Sequence, residues 1–210
     1  VMELGFSDNR NFQLIGTDGG LLSAPVQLTR YRLAPGQRAD ILVDLTQDQG
    51  ENFQLMSFGS ELPNAVYGSS QPDMGPGLTG TLVGYTSNGL NGNNYSFLDI
   101  TVGPQTGTPV TTIPTSLASF TPLVEADADE TRNLTFNMQG GMSLAGPFTI
   151  NGSLFDMQTI NYTIPVGNTE IWSLTNQTPI EHPFHIHDVQ FFILDINGNP
   201  PPPELQGYND

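Results

Sequence analysis

Apolar and polar residues alternate in short runs along the whole chain, and turn-forming residues separate the runs. Phe12 to Gly16 is the first such run, and Thr17-Asp18-Gly19-Gly20 after it is a turn signal with glycine available for positive φ. Leu28 to Leu33 alternates again, Ala34-Pro35-Gly36-Gln37 is a Pro-Gly turn, and Ala39 to Leu45 resumes with one apolar face. Phe53 to Phe58, Gly80 to Tyr85 and Tyr95 to Val102 continue the pattern. Further on, Thr131 to Met138, Thr159 to Ile164, Glu170 to Asn176 and Phe191 to Ile196 read as strands, and Phe148 to Ser153 as a strand running into a turn. No run carries the 3.6-residue period of an amphipathic helix. The pattern predicts an all-β protein of the sandwich class.

Gly103 to about Pro122 is rich in Gly, Pro, Thr and Ser and breaks the alternation. It reads as an extended linker, which divides the chain into residues 1–103, a connection 104–124, and residues 125–210. The acidic Glu125 to Glu130 run fits a solvated loop at the start of the second unit.

Composition narrows the function. The chain has 210 residues, enough for a real core, and 23 Gly with 17 Pro suit many short strands. No apolar run approaches the roughly 18 residues of a membrane span, and the N-terminus shows no basic-then-apolar leader pattern. Five Arg, no Lys and 21 Asp plus Glu give a net charge of −16. Such a surface repels nucleic acid and anionic membranes; it serves solubility, and it also attracts cations. With no Cys there are no disulfides, thiolate zinc sites or thiol catalysis.

All three histidines fall within Glu181-His182-Pro183-Phe184-His185-Ile186-His187-Asp188. Imidazole is the commonest side-chain ligand for copper, zinc and iron, so this concentration points to coordination chemistry. The following Val189 to Leu194 run is β-branched and aromatic, which predicts that the motif lies on or leads into a strand. On a strand His185 and His187 share a face, with Cα atoms about 6.6 Å apart, while His182 points the other way. One hexapeptide can thus serve two different metal sites. A zinc or nickel site on another β protein, or a metal-free exposed His tract, are the alternatives at this point.

The string resembles the His-Pro-Phe-His-(Leu/Ile)-His element of multicopper oxidases, the family of laccases, bilirubin oxidases and copper efflux oxidases. Phe12 to Leu45, with Leu33-Ala-Pro-Gly-Gln-Arg-Ala-Asp-Ile-Leu-Val-Asp, is similar to the latter part of the family's second domain. Phe148-Thr-Ile-Asn-Gly-Ser-Leu-Phe-Asp and Val166-Gly-Asn-Thr-Glu-Ile-Trp are similar to the run before the His element in the third. The resemblance implies cupredoxin-like Greek-key β-sandwiches, present as two partial domains, with copper as cofactor. His182 would bind the type 1 copper, His185 the type 2 copper and His187 a type 3 copper. It implies oxidation of a small reducing substrate, a phenol or Cu(I), coupled to reduction of dioxygen to water, and an extracytoplasmic location.

In that family further His-x-His elements lie in the first domain, and a later His-Cys-His element supplies the thiolate of the blue copper. Neither occurs here. The chain therefore reads as a fragment whose partner is the remainder of the enzyme. Alone it is expected to be inactive, to bind copper weakly without a blue band, and to self-associate through uncovered strand edges. A non-catalytic cupredoxin-like structural or metal-binding module is the rival expectation, since some family relatives have lost their ligands.

Other residues carry smaller expectations. Asp188 stands where relatives commonly have Gly; it either orients an imidazole or is an exposed strand residue. Glu181 is expected at the surface, near the substrate edge of the blue copper. Trp172 fits core packing better than an electron relay, Met138 and Met142 fit packing too, and Arg38 with Asp40 reads as a strand-end pair. The five Asn-x-Ser/Thr sequons bear only on a eukaryotic secretory pathway.

Overall fold

The computed structural model describes residues 1–73, 82–105, 107–121, 123–140 and 143–210. It is all-β. Among the described residues ten strands form three sheets, joined by turns and short 3₁₀ segments, and none of the helical segments exceeds a single turn.

The strands are β1 Met2–Phe6, β2 Phe12–Thr17, β3 Gly20–Leu28, β4 Tyr31–Leu33, β5 Asp40–Leu42, β6 Asn52–Phe58, β7 Asn94–Thr101, β8 Glu130–Met138, β9 Phe148–Ile150 and β10 Glu170–Asn176. One sheet runs β4-β1-β6-β7 and a second runs β3-β2-β5, all antiparallel. The third, β10-β8-β9, pairs β10 with β8 in parallel and β8 with β9 antiparallel.

The first two sheets enclose one core. Phe6, Phe12, Leu14, Leu22, Tyr31 and Phe53 are buried at its centre, with Val26, Leu33, Ile41 and Ile100 packed around them. The alternation along β2 explains this directly: Phe12 and Leu14 face inward while Gln13 and Ile15 are half-buried. Phe6 meets Phe12 and Phe53 edge-on, at 5.9 and 5.6 Å between ring centroids, the arrangement that aromatic quadrupoles favour. The Arg10 guanidinium caps Phe53 at 3.7 Å while bonding Asp8 and Asp48, so the charge is paired at the edge of the apolar cluster.

Several expectations need correcting. Leu28 to Leu33 is not one strand; β3 ends at Leu28 and β4 begins at Tyr31, with the Arg30 side chain turned to Glu61. Of Gly80 to Tyr85, residues 80 and 81 lie outside the described residues, as do Met74, Pro122 and Met142, and 82–85 form a turn. The reason is Tyr85, whose hydroxyl accepts from Gly68 N–H and donates to the Ser69 carbonyl, so it anchors a loop rather than a ladder. Thr159 to Ile164 forms no strand, and Phe191 to Ile196 contributes only isolated bridges, Phe191 with Asn209 and Ile196 with Asn199. In both runs the alternation is real, but the described chain supplies no neighbouring strand to complete a ladder. β1 and most of β3 were not legible as strands.

The connection after β7 has no regular structure among its described residues, yet it is anchored. Leu117 N–H bonds the Ser23 carbonyl and its side chain joins the first core, while Phe120 stacks on Phe192 and Tyr208. The C-terminal segment then returns to β2: Gly19 N–H and the Thr17 hydroxyl both donate to the Tyr208 carbonyl, at 3.1 and 2.9 Å. Gly19 is required here, because a Cβ at that position would collide with Tyr208 and Gln190.

Leu14, fully buried between β3 and β5, is the most sensitive core position. Leu14→Ala should cost about 2–5 kcal/mol, read as a shift of the denaturant midpoint at unchanged slope; a loss under 1 kcal/mol would show a core that collapses around the cavity. The stretch after β9 behaves oppositely. Phe155, Met157, Ile160 and Val166 are 83–106% exposed, a contiguous run that water does not favour. The isolated chain should therefore self-associate with rising concentration in light scattering, and Phe155→Asp with Ile160→Asp should suppress it.

Candidate metal centre

His182, His185 and His187 lie on the segment after β10, which has no strand pairing of its own. Its entrance is shaped by a compact turn. Asn176 Nδ2 donates to the Ile180 carbonyl at 2.6 Å, Thr178 N–H donates to Asn176 Oδ1 at 2.9 Å, and Gln177 N–H bonds the Phe136 carbonyl of β8. Ile180 is buried, and Glu181 N–H reaches across to the Ala65 carbonyl. These bonds deliver the chain to His182 at the edge of the β10-β8-β9 sheet.

From Glu181 to His187 exposure alternates strictly: His182, Phe184 and Ile186 are half-buried, and Glu181, Pro183, His185 and His187 are exposed. The expected period of two is present although the ladder is not. His182 lies between Phe136, stacked at 5.6 Å and 13°, and Phe148, edge-on at 4.8 Å. Its Nε2 is 2.7 Å from the Thr178 hydroxyl. Burial pushes its pKa below the ordinary imidazole value, so the ring is neutral at pH 7. His185 and His187 form a separate pair with ring centroids 4.9 Å apart. The three residues are thus sorted into one isolated imidazole and one imidazole pair.

The pair sits at a seam between the two halves of the chain. His185 packs against Gly36, where φ is +91° and a side chain would approach the imidazole. Its Nδ1 is 3.3 Å from Asp210 Oδ1. Arg38 grips the same carboxylate with both guanidinium nitrogens, at 3.0 and 2.6 Å, while its Nη2 donates to the Asp18 carbonyl and its backbone N–H to Asp18 Oδ1. Arg38 is therefore not paired with Asp40, as the sequence suggested; the fork geometry suits a carboxylate arriving from the C-terminal segment better than a neighbour on its own strand. Arg38 above all, with the two imidazoles adding, holds the Asp210 carboxyl below the usual range.

Asp188 is exposed, makes no hydrogen bond among the described residues, and has φ of +72°. That backbone region favours glycine, and Asp is among the few other residues that tolerate it. Glu181 lines a cavity of about 220 Å³ beside His182, together with Phe136, Leu174, Asn176 and Phe184. Trp172 is half-buried in a row of rings, between Tyr162 and Phe184, with its N–H on Glu170. Asp210, Gly36 and Thr178 were missed as neighbours of the histidines. Gly36 lay in a visible Pro-Gly turn, but nothing in the chain's order signals contacts across 149 or 172 positions, as Gly36–His185 and Arg38–Asp210 require.

The comparisons with known proteins follow this geometry. Residues 127–210, which contain the whole His segment, match the family model described as multicopper oxidase. Cell division protein FtsP of Xenorhabdus nematophila is 30% identical over 210 residues, covering 99% of this chain and 38% of that protein. Multicopper oxidase mco of Staphylococcus haemolyticus is 25% identical, covering 100% of this chain and 36% of that protein. Among solved structures, a laccase-like multicopper oxidase, CueO, from Ochrobactrum sp., with oxidase activity towards lignin model compounds and lignosulfonate, superposes with a TM-score of 0.74 at 26% identity, over 100% of this chain and 42% of that one. McoA multicopper oxidase from Aquifex aeolicus gives 0.72 at 25%, over 100% and 42%.

The fold is that of the cupredoxin-type β-sandwich proteins. Within that class residues 127–210 carry the multicopper oxidase family pattern, and the chain over its whole length is similar to multicopper oxidases. It spans 38% of the length of the first curated relatives it matches.

The family implies copper, and the donor chemistry of the chain fits it in part. Imidazoles suit copper, and the structure offers one alone and two together. The thiolate of a blue copper centre is absent from the chain, and among the described residues no three His, Asp or Glu stand close enough to hold a metal unaided. The residues fit as contributors to copper sites rather than as whole ones.

Because the Asp210 pKa is lower in the folded chain than the roughly 3.9 of an unfolded one, its pair with Arg38 favours folding above that value. The contribution is lost as pH falls through the folded pKa. Asp210→Asn should lower the melting temperature at pH 6, and by progressively less as the pH falls below 4. Parallel melting curves for the two proteins between pH 2 and 6 would contradict this. Since Arg38 is 56% exposed, the difference should also shrink with salt.

Proposed function

We propose that this chain is part of a laccase-type, copper-dependent oxidoreductase that oxidises a small donor, a phenol or Cu(I), and reduces dioxygen to water. One observation carries the reading: the three histidines are sorted into a half-buried single imidazole and a separate exposed pair, the division that two distinct copper centres need. Bound copper would supply the one-electron chemistry.

The chain's own residues supply the setting. His182 would be the ligand on the donor side, and the cavity beside it is apolar on the Phe136, Leu174 and Phe184 walls with Glu181 and Asn176 at its polar edge. A flat aromatic donor suits those walls, and the Glu181 carboxylate is placed to accept a hydrogen bond from its hydroxyl. His185 and His187 would act together at the second centre, with Asp210 and Arg38 limiting the movement of His185. An extracytoplasmic location accompanies this reading. The described helices include none long and apolar enough to cross a membrane.

A second reading has its own support. Relatives at 30% identity are named for cell division rather than for oxidation, which favours a non-catalytic cupredoxin module. The two are separated by the full-length gene product that carries this chain. An oxidase should bind copper stoichiometrically, absorb intensely in the blue, and consume oxygen with phenols; His182→Ala should abolish the blue band and lower oxygen uptake by a factor of at least about 10², the scale of losing an interaction made at the reacting centre. Copper binding with neither band nor oxygen uptake, or no copper binding, would decide for the structural module.

A further inference from the structure

We propose that Thr178 is a positioning residue that fixes His182 as the Nε2–H tautomer and so leaves Nδ1 as its donor atom. The Thr178 oxygen is within hydrogen-bond distance of three groups: Asn176 Oδ1 at 2.8 Å, the Ile180 carbonyl at 3.0 Å and His182 Nε2 at 2.7 Å. A hydroxyl has one proton to donate and lone pairs to accept with.

The Asn176 amide is oriented by its own bonds. Its oxygen accepts from Thr178 N–H and its nitrogen donates to the Ile180 carbonyl at 2.6 Å. Turning it over would set an N–H against an N–H and an oxygen against an oxygen, so the group facing the Thr178 hydroxyl is an acceptor. The Ile180 carbonyl is an acceptor too. If Thr178 gave its proton to His182, two oxygens would face the hydroxyl oxygen at 2.8 and 3.0 Å with no hydrogen between them. One proton directed between Asn176 Oδ1 and the Ile180 carbonyl, as a shared three-centre bond, instead leaves a lone pair for Nε2, which must then carry the hydrogen.

The ring has little freedom to evade this arrangement, being stacked on Phe136 and met edge-on by Phe148. Nδ1 has no hydrogen bond among the described residues. The tautomer is a property of the chain itself, whereas the donor role of Nδ1 rests on the copper reading above.

Nitrogen-15 spectra of the copper-free chain at pH 8, where the imidazole is neutral, test the tautomer directly, because protonated and unprotonated ring nitrogens resonate far apart. His182 should show a protonated Nε2, with a ring N–H signal slow to exchange with water, and an unprotonated Nδ1. Thr178→Val keeps the side-chain shape and removes the acceptor; the ratio of tautomers should move about fivefold towards Nδ1–H, the effect of one neutral hydrogen bond, and the N–H signal should be lost to exchange. Thr178→Ser restores the hydroxyl and should restore both signals, which a merely structural role for Thr178 would not require. A protonated Nδ1 in the parent chain, or an unchanged ratio and N–H signal in Thr178→Val, overturns the inference. Since no metal is present, a failure of copper binding at His182 in a separate titration would remove the copper reading and leave the tautomer result standing.

Discussion

The segment that carries the histidines has no ladder to define it, so its shape is imposed by bonds to other parts of the chain. Residues 177–190 receive one backbone bond from Gln177 to β8, one from Glu181 to Ala65, and side-chain restraint from Thr178, Asp210 and the flanking rings. Apart from the Thr178 contact with His182, which spans four residues, these restraints join the segment to parts of the chain outside it. A strand in mid-sheet would hold its side chains by periodic pairing. Here the alternation of exposure survives because the Phe136, Phe148 and Trp172 rings take up the half-buried residues on one side and leave the other open. The consequence is a pair of imidazoles displayed at the surface beside one that is largely enclosed.

Enclosure and display have opposite electrostatic effects. Around His182 the nearest groups are two phenyl rings and a hydroxyl, and desolvation disfavours the imidazolium. The environment keeps the ring neutral at pH 7 and therefore competent as a ligand. At His185 the nearest charged group is a carboxylate, itself held by Arg38, so the pair stands at a point where the local field is balanced rather than apolar. Two chemically different sites arise from one hexapeptide because one side of it packs on a sheet and the other meets the Arg38–Asp210 seam.

Much of this was legible in the sequence. The all-β class, the core strands β2, β6, β7, β8 and β10, the Pro-Gly turn at Gly36, and the separation of His182 from His185 and His187 all followed from alternation and turn chemistry. Strand runs failed where alternation lacked a neighbour: Thr159 to Ile164 and Phe191 to Ile196 have strand-like sequences but no partner to bond. β1 was missed because Leu4, Gly5 and Phe6 are all buried, so the strand shows no polar-out rhythm. What surrounds the histidines was least legible. Asp210 and Arg38 meet across most of the chain, and their contact depends on the Thr17 and Gly19 bonds to the Tyr208 carbonyl that bring the C-terminal segment home.

The same long-range pairings account for the charge. The five arginines are all spent in ion pairs: Arg10 with Asp8 and Asp48, Arg30 with Glu61, Arg32 with Glu3, Arg38 with Asp210, and Arg132 with Glu130 and Glu170. Most of these join separate segments, and the fixed guanidinium fork suits that task better than a flexible ammonium would, which agrees with the absence of Lys. With every cation committed to a carboxylate, the remaining acidic groups are uncompensated, and the exterior carries a negative field throughout. That field does not select a substrate. It raises the local concentration of cations near the exposed imidazole pair and lowers that of anions.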